Sequence, residues 1–425
     1  MGHDEFQKHD AKILTPSFVV LLILSLIGFA LIAVRFIWGL GAVSNMSDGY
    51  PWGIWITYDV AVGTAIACGG YGMAILIYIR TQMHYHPMIR SAILTSMFGY
   101  GLAGFSVMVD VGRPWNSYNF FIPSKWQVNS AMFEVALCVM AYTTVLLLEF
   151  LPAVLTTLEK TEWKTLQYLM DKLHRYTGIK RPERLETVKD VAAWLKPRLD
   201  KVLIFIIVLG ITLPTMHQSS LGSLLLIAST KLHPLWHTGF LPLLFLINCM
   251  YIGYSIAILE SVISSYAFKR PFETKELSGV AGIIPWLTVI WLSVVIGDLA
   301  WRGQLGAALS FDFYSCFFLL DFGLVAVGSL LLFSGRKRDS IRWLFVSAAL
   351  IVLGGALYRF NVYLIGFNPG KGWHYFPALA ELMVTVGIVA FEILGYQVLV
   401  KILPVLPKLH TREQLDAAHG LAEKA

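Results

Sequence analysis

Residues 202–229 read VLIFIIVLGITLPTMHQSSLGSLLLIAS, an apolar run that is long enough to cross a lipid bilayer and that has a polar centre. Within this run, Pro214 lacks a backbone N–H and interrupts the hydrogen-bond ladder of a helix. The polar stretch HQSS follows at 217–220, at a depth where polar groups are costly unless they face a protein interior or a hydrated cavity. The run therefore predicts a membrane helix that is broken at Pro214.

This polar centre has two interpretations. In the first it is only a kink, and the hydroxyls of Ser219 and Ser220 satisfy the carbonyl groups that the proline frees. In the second it is a binding site for a polar ligand. His217 would then donate or accept a proton, because imidazole changes its protonation near neutral pH.

The composition predicts an all-α, polytopic membrane protein. The chain has 425 residues, of which 56% are hydrophobic and only 14% are charged, and its mean hydropathy is +0.65. With about 20 apolar residues for each span, the sequence predicts ten transmembrane helices. Their expected bounds are 17–38, 55–79, 89–111, 128–151, 202–229, 240–267, 281–301, 313–334, 342–366 and 377–403.

The predicted helices divide the chain into five parts. An N-terminal tail, 1–16, precedes helices 1–4 at 17–151, and helices 5–10 at 202–403 precede a C-terminal tail, 404–425. The basic segment 152–201 lies between the two sets and has apolar residues at helical spacing. This pattern predicts one or two amphipathic helices on the membrane surface. The apolar residues are Leu158, Trp163, Leu166, Leu169, Met170 and Leu173.

Lysine and arginine lie mostly on one side of the predicted helices. Of the 33 in the chain, 26 fall in the two tails and in alternate loops, whereas the opposite loops hold only five. Because cytoplasmic loops carry the excess of positive charge, we expect both termini to be cytoplasmic. The opposite loops are rich in Trp, Tyr and Phe, as is typical of a membrane–water interface. The basic residues therefore follow membrane topology and give no nucleic-acid signature.

Ionisable residues inside predicted spans are candidates for function. Two groups lie toward the non-cytoplasmic ends of successive helices, a third lies further inward, and Tyr100 is near the middle of its span. The two outer groups predict two four-helix bundles, helices 2–5 and helices 6–9, flanked by helices 1 and 10. The first group is Asp59, Asp110 with Arg113, Glu134 and His217; the second is Asp298, Asp321, Arg359 and Glu381; the third is Glu149, Glu260 and Glu392.

Some of these groups also have a purely structural interpretation. Asp110 and Arg113 are spaced for an ion pair at the interface, and Arg359 has Asp298 or Asp321 as a candidate partner. Glu134 has no basic neighbour in the sequence VNSAMFE. A carboxyl about six residues into a span predicts a protonated or hydrogen-bonded group that is suited to a proton relay.

The cysteines and histidines argue against a metal centre in this chain. The four cysteines are isolated and form no CxxC pair, so we expect buried packing residues and neither an iron–sulfur cluster nor a zinc site. A transmembrane b-type haem generally needs two inward-facing axial ligands, commonly histidine. Of the eleven histidines only His217 lies deep in a predicted span, so we expect no haem. The cysteines are Cys68, Cys138, Cys249 and Cys316.

Several motifs in order make the chain resemble a known family. The chain is similar to the NrfD/PsrC family of quinone-interacting membrane subunits over nearly its whole length. Within that family it resembles the HybB group, the membrane subunits of hydrogenase-2-type NiFe hydrogenases. The motifs are GYPWGIWITYD (49–59), FGYGLAG (98–104), DVGRPWN (110–116), VNSAMFE (128–134), LPTMHQSSLGSL (213–224), HPLW (233–236), DFYS (312–315), FNPG (367–370) and YFP (375–377).

This resemblance implies a subunit of a hydrogen:quinone oxidoreductase in the inner membrane, one that does not act on hydrogen by itself. Its implied partners are the large and small NiFe hydrogenase subunits, a ferredoxin-like iron–sulfur subunit and membrane lipids, and its implied quinone is menaquinone, reduced near the outer face. The implied proton-transfer residues at the quinone are Glu134, His217, Tyr100 and Asp59. The implied quinone contacts are His217, Gln218, Ser219, Asp59, Trp55, Asp110 and Arg113, and the proton path is Glu134, Glu260, Glu392 and Asp321.

Two alternatives stay open at this point. The first is a quinol-oxidising anchor of another reductase of the same family, for polysulfide, nitrite or sulfoxide. The second is a redox-free transporter whose buried carboxylates carry a coupling ion, which a broken helix would also suit. The large aromatic loops favour a docked partner protein over the open vestibule that a transporter needs.

Overall fold

The computed structural model describes residues 6–8, 12–160, 163–177 and 187–408. Within these ranges ten helices are long and apolar enough to cross a membrane, which confirms the prediction of an all-α, polytopic membrane protein. The helices are α1 (Pro16–Trp38), α2 (Ile54–Ile79), α3 (Met83–Asp110), α4 (Ala131–Lys160), α5 (Val188–Ile227), α6 (Leu241–Ala267), α7 (Thr274–Trp301), α8 (Phe313–Phe333), α9 (Ile341–Ile365) and α10 (Leu379–Ile402).

The helices pack as two groups of four with a flanking pair. Helices α2 to α5 contact one another in succession, α6 to α9 do the same, and α1 packs along α10 beside α3. The two groups meet where α6 contacts α2 and α5, and where α9 contacts α2. Between α6 and α2 the backbones approach closely, since a Cβ atom on Gly253 of α6 would lie only 2.6 Å from the carbonyl oxygen of Cys68 in α2. The predicted two-bundle arrangement is therefore confirmed.

Helix α5 is continuous through Pro214, so the prediction of a broken helix is wrong. A proline inside a membrane helix is tolerated when the groups around it are satisfied by neighbours. The carbonyl that Pro214 leaves free is that of Gly210, four residues earlier. Ser219 and Ser220 donate instead to carbonyls after the proline, at Thr215 or Met216, so the serines do not perform the role that the kink interpretation gave them.

The irregular helix is α2. It contains two π-helical stretches, Thr57–Gly63 and Ile75–Ile79, with a turn at Ala67 and Cys68 between them. Helix α9 also ends in a π-helical stretch, Asn361–Ile365. Such stretches shift the register of side chains by one position and occur frequently at functional sites. Both π-helical helices take part in the contact between the two groups, together with α5 and α6.

The two ends of segment 152–201 extend the membrane helices instead of forming a separate unit. Helix α4 continues to Lys160 and α5 begins at Val188, so among the described residues the helix Lys164–Thr177 is the part of this segment that belongs to neither span. A capping box formed by Thr187 and Asp190 starts α5. The Leu173 side chain and residues 178–186 of this segment lie outside the described residues.

Strands from the two ends of the chain meet at one end of the helices. Phe6–Gln7 (β1) pairs antiparallel with Leu406–Pro407 (β2), and the Arg90 guanidinium lies 3.9 Å from the centre of the Phe6 ring. We call this end the basic side, because the connections α2–α3, α4–α5, α6–α7 and α8–α9 there carry more lysine and arginine than the connections at the opposite end. The opposite end is the aromatic side. Tail residues 1–5, 9–11 and 409–425 lie outside the described ranges.

Candidate functional site

Four fully buried polar side chains meet between α2, α3 and α5, and we call them the polar cluster: Thr64, Tyr100, His217 and Gln218. The Thr64 hydroxyl oxygen lies 3.3 Å from His217 Nε2 and accepts a hydrogen bond of 3.0 Å from Gln218 Nε2. The same Gln218 amide lies 3.2 Å from the Tyr100 hydroxyl. His217 and Tyr100, which were predicted as site residues, therefore lie together in one buried cluster.

Two atoms of the polar cluster have no hydrogen-bond partner among the described residues. They are His217 Nδ1 and Gln218 Oε1, both buried. The backbone of Val135 in α4 faces the imidazole, but no hydrogen bond of acceptable geometry reaches Nδ1. Because a buried polar atom without a partner costs free energy, these two atoms are the ones that a ligand or a bound water would satisfy. One of them accepts only, and the other donates or accepts according to its tautomer.

Thr64 was not predicted from the sequence. It follows directly after the π-helical stretch that ends at Gly63, and its hydroxyl donates 2.5 Å to the carbonyl of Val60. A threonine that bonds to its own helix is common and carries no sequence signal of function. The nearest available signal was the glycine-rich run GTAIACGGYG, which is unusual inside a membrane helix.

Aromatic rings and a thiol surround the cluster. The Tyr100 ring packs edge-on against Tyr142, with centroids 4.5 Å apart, and against His217 at 5.4 Å. The Tyr100 hydroxyl lies 3.6 Å from the Cys68 sulfur, which faces Cys249 across the contact between α2 and α6. The expectation of four buried cysteines is correct for these two and for Cys138, but it is wrong for Cys316, which is exposed.

A buried cation reaches the same region from α9. Arg359 donates to Asn248 Oδ1 at 2.5 Å, to the Ala61 carbonyl at 2.6 Å and to the Phe245 carbonyl at 2.9 Å. It is fully buried, and its charge acts on His217. The predicted pairing of Arg359 with Asp298 or Asp321 is therefore wrong.

The two aspartates considered for Arg359 have other partners. Asp298 forms an ion pair of 2.5 Å with Arg302, one helical turn along α7. Asp321 accepts 2.5 Å from the Asn361 amide and lies in the second helix group, away from the polar cluster. The direction in which a buried side chain points depends on the rotation of its helix, which the sequence did not define.

Asp59 lies in the first π-helical stretch of α2, next to α3. It is buried and accepts a hydrogen bond of 2.6 Å from the Ser106 hydroxyl. It is about one helical turn from Trp55, whose buried indole donates 2.9 Å to Asp110 Oδ1. These residues therefore form a second polar patch that lies nearer the aromatic side than Thr64.

The predicted ion pair between Asp110 and Arg113 is not formed. Arg113 is exposed, whereas Asp110 accepts from the Trp55 indole. Arg35 of α1 approaches instead and donates 2.6 Å to the carbonyl of Val111. Helix α3 ends at Asp110 with an extended residue after it, so the chain turns away and carries Arg113 out of reach.

Glu134 and Ser219 also lie outside the polar cluster. Helix α4 begins at Ala131, three residues later than predicted, so Glu134 is in its first turn and exposed instead of deep in the span. Ser219 is half-buried and hydrogen-bonds to its own helix. Glu134 nevertheless directly precedes Val135, the residue whose backbone faces the His217 ring.

A row of carboxyl groups runs from the basic side toward α2. Glu260 accepts 2.9 Å from the Tyr396 hydroxyl and lines a cavity of about 30 Å³ at the basic side, together with Glu273. Burial raises the pKa of Glu273, which lies in the connection between α6 and α7. Glu392 follows Glu260 in the row, since the two groups interact electrostatically, and Glu392 interacts in turn with Asp59.

The chain is similar in sequence to a known family and to several known proteins. Residues 42–368 match the family described as "Polysulphide reductase, NrfD". The chain is 38% identical over 426 residues to the "Probable Ni/Fe-hydrogenase 2 b-type cytochrome subunit" of Escherichia coli, covering 98% of this chain and 100% of that protein. It is 27% identical over 157 residues to the "Menaquinone reductase, integral membrane subunit" of Nitratidesulfovibrio vulgaris, which covers 34% and 36%. It is 20% identical over 443 residues to a selenate reductase subunit of Mesobacillus selenatarsenatis, which covers 95% and 96%.

The name of the Escherichia coli relative corrects one expectation. A b-type cytochrome subunit is the name of a haem protein, so the prediction that this chain has no haem, made from a count of histidines, is wrong. Among the described histidines, His217 is the fully buried one and could supply one axial ligand, but no second histidine faces it. The described residues thus do not form the usual histidine pair. They also include no group of three His, Cys, Asp or Glu side chains that could hold a metal ion.

Proposed function

This chain belongs to the NrfD family of membrane subunits, and we propose that it is the quinone-binding subunit of a membrane-bound hydrogenase complex. Electrons from hydrogen oxidation in a partner subunit would arrive through iron–sulfur centres and reduce menaquinone bound by this chain. The observation that carries the proposal is the polar cluster, with its two unpartnered buried atoms, in a chain that is 38% identical over its length to a hydrogenase 2 membrane subunit. A menaquinone reductase subunit among the relatives supports the choice of quinone.

The polar cluster has the groups that a quinone headgroup requires. A quinone carbonyl accepts a hydrogen bond, and the hydroxyl formed on reduction donates one. Because the Thr64 hydroxyl donates to Val60, His217 Nε2 donates to Thr64, and Nδ1 can donate to the carbonyl when the ring carries a proton on both nitrogens. Gln218 Oε1 can accept from the hydroxyl. Reduction adds two electrons and two protons to the quinone, so His217 and the Tyr100 hydroxyl are proposed as the proton-transfer groups at the cluster.

Arg359 gives this region a fixed positive charge. The guanidinium is held by carbonyl and amide oxygens, none of which neutralises it. A positive charge that is buried in a medium of low dielectric constant favours negative charge nearby. We propose that it favours the arrival of electrons on a quinone at the polar cluster.

Protons are proposed to reach Asp59 from the basic side through Glu260 and Glu392. The order of these groups along the row and the cavity beside Glu260 support this direction. Glu134 is proposed to exchange protons between the cluster and the aromatic side, because it is exposed and directly precedes Val135. Proton uptake at the basic side with hydrogen oxidation at the aromatic side would make the complex electrogenic.

The proposed orientation puts the basic side in the cytoplasm and the chain in the inner membrane, since cytoplasmic loops carry the excess of lysine and arginine. The aromatic side exposes large apolar side chains in the connection between α3 and α4, where Phe121 is 78% exposed and Val128 is 75% exposed. Exposed apolar surface outside the lipid marks a site of protein association. We therefore propose that the hydrogenase subunits and a ferredoxin-like iron–sulfur subunit dock there.

A second candidate is the quinol-oxidising anchor of an oxyanion reductase. It is favoured by the 20% identity to a selenate reductase subunit over 95% of this chain. The reaction at the polar cluster would then be the reverse one, the oxidation of a bound quinol, which gives up its protons and electrons. The higher identity to the hydrogenase subunit makes this the weaker candidate.

Purification of the chain from its native membrane tests the proposal. We expect a hydrogen-oxidising protein to co-purify, and hydrogen to reduce both a menaquinone analogue and a soluble viologen dye. In a His217→Ala variant the quinone reaction should be lost while dye reduction persists, because the dye takes electrons before they reach this chain. Ser219→Ala, whose hydroxyl bonds only within its helix, is the matched control. A co-purifying oxyanion reductase without hydrogenase would instead favour the second candidate.

A further inference from the structure

The second helix group contains a concentration of buried polar atoms without partners. Among the described residues, eleven buried side-chain nitrogen or oxygen atoms lack a hydrogen-bond partner, and six of them belong to α7, α8, α9 or the connection before α6. All six side chains are at most 3% exposed. They are Trp236 Nε1, Trp291 Nε1, Asp321 Oδ1, Ser347 Oγ, the Tyr358 hydroxyl and Asn361 Oδ1.

These atoms follow the long axis of the group. Asn361 lies close to the aromatic-side end of α9, and Ser347 lies close to its start at the basic side. With a rise of 1.5 Å per residue, the 14 positions between them span about 21 Å. Thr288, at the middle of α7, and Ser329, near the basic-side end of α8, have hydroxyl oxygens 2.5 Å apart. Polar groups therefore occur along most of the length of the second helix group.

We call these six unpartnered atoms the file. Contacts connect the members of the file that lie toward the aromatic side. Asp321 accepts 2.5 Å from Asn361, and the Trp236 indole faces the same carboxyl without a hydrogen bond of acceptable geometry to Oδ1. Asp321 interacts electrostatically with Tyr358, whose ring packs edge-on against Trp291 at 4.9 Å.

The mixture of donors and acceptors identifies the occupant that these atoms fit. The two indole N–H groups only donate, Asp321 Oδ1 and Asn361 Oδ1 accept, and the two hydroxyls do both. A cation would satisfy the acceptors alone and would be repelled by the indole N–H groups. Water satisfies both kinds of group, and buried water typically makes about three hydrogen bonds to buried polar groups that lack protein partners. Water is therefore the ligand that this set of atoms matches.

We propose that helices α7 to α9, with Trp236, enclose bound water, and that Asp321 is the group in this hydrated file that takes up and releases a proton. Tyr251 and Tyr358 are the other titratable groups that interact with Asp321. The file lies in the second helix group, whereas the polar cluster lies in the first. The inference does not depend on the assignment of a quinone to the polar cluster.

Radiolytic hydroxyl-radical footprinting of the purified complex tests the water. Radicals formed from bound water oxidise the side chains beside it, including side chains that are closed to bulk solvent. Trp291 and Trp55 are a matched pair, since both are fully buried but only the Trp55 indole has a protein acceptor, Asp110. We expect Trp291 and Tyr358 to be oxidised at least several-fold faster than Trp55. Equal and slow oxidation of all three would overturn the proposal.

Infrared spectroscopy tests the proton. We expect a carboxylic-acid band that shifts in heavy water, that is lost in Asp321→Asn and that persists in Asp298→Asn, the ion-paired control. The same band in Asp321→Asn as in the wild type would overturn the assignment of the proton to Asp321. If Asp321→Asn fails to accumulate, Asp321→Glu, which keeps the carboxylic acid, replaces it: we expect the band to shift in Asp321→Glu, and a band at the wild-type position would overturn the assignment of the proton to Asp321.

Discussion

Arg359 in α9 donates a hydrogen bond of 2.6 Å to the carbonyl of Ala61 in α2, across the contact between the two helix groups. Ala61 lies in the π-helical stretch Thr57–Gly63, which directly precedes Thr64 of the polar cluster. The same guanidinium binds Asn248 and Phe245 of α6. One side chain therefore fixes α2, α6 and α9 relative to one another and supplies a buried positive charge close to the proposed quinone site.

Arg359→Met should lower the stability of the protein markedly. It removes the donor to three buried acceptors, at Asn248, Ala61 and Phe245, and each acceptor left unpaired costs about 1–3 kcal/mol. We expect a large fall in the midpoint of thermal unfolding, followed by tryptophan fluorescence in detergent. Arg113→Met, at an exposed position, is the control and should leave the midpoint nearly unchanged. A small shift in Arg359→Met would mean that the guanidinium does not hold the helices together.

Thr64→Val should impair quinone reduction without disturbing the fold. Valine keeps the shape of threonine but removes the hydroxyl that lies between His217 Nε2 and Gln218 Nε2. A lost hydrogen bond of about 1–3 kcal/mol corresponds to a fall of roughly 5-fold to 10²-fold in rate. Hydrogen-dependent quinone reduction should decrease by this factor while dye reduction is unchanged. Thr212→Val on the exposed face of α5 is the control; equal activity of the two variants would exclude Thr64 from the site.

How much of the fold could be predicted from the sequence depends on the kind of feature. The ten spans and the two helix groups were predictable, because a long apolar run in a membrane satisfies its backbone hydrogen bonds by forming a helix that spans the bilayer. The continuity of α5 was not predictable from the sequence. A proline such as Pro214 breaks a helix in water, but within a membrane protein the packing of neighbouring helices accommodates it. The irregularity of α2 arises from its contacts with α3, α6 and α9, and a run of glycines indicates it only weakly. Partners of buried charges such as Arg359 depend on helix rotation and were wrongly assigned.

The members of the polar cluster were predicted only in part from the sequence. His217, Gln218 and Tyr100 were found because polar groups deep in a span are unusual, and they do meet. Thr64 was missed because threonine is ordinary in helices. Glu134 was placed too deep because the start of α4 was predicted three residues early, an error of a single turn that moves a carboxyl from the interior to the surface.

Glu392→Gln should interrupt the proposed supply of protons from the basic side. Glutamine keeps the size of the side chain but cannot carry the proton between Glu260 and Asp59. In vesicles that contain the complex, quinone reduction and proton uptake at the basic side should both fall by roughly 10²-fold, as for a lost acid–base group. Glu159→Gln, in the ion pair with Lys196 beyond the membrane, should retain both. Normal proton uptake in Glu392→Gln would remove this residue from the path.

Glu134→Gln distinguishes the route through the aromatic side from the route through the basic side. Glu134 is exposed in the first turn of α4 and directly precedes Val135, whose backbone faces the His217 ring. If it exchanges protons with the cluster, hydrogen-dependent quinone reduction should fall by about tenfold or more, because glutamine keeps the shape of the side chain and lacks the proton.

Dye reduction should be unchanged in Glu134→Gln, since dye accepts electrons in the partner subunits, and it reports whether those partners remain bound. A loss of both activities would indicate that the exposed Glu134 carboxyl holds a docked partner and not a proton. The comparison with Glu392→Gln then separates the two routes. A defect confined to Glu392→Gln, with full quinone activity in a well-assembled Glu134→Gln complex, would mean that the protons come from the basic side alone and that Glu134 has no part in the reaction.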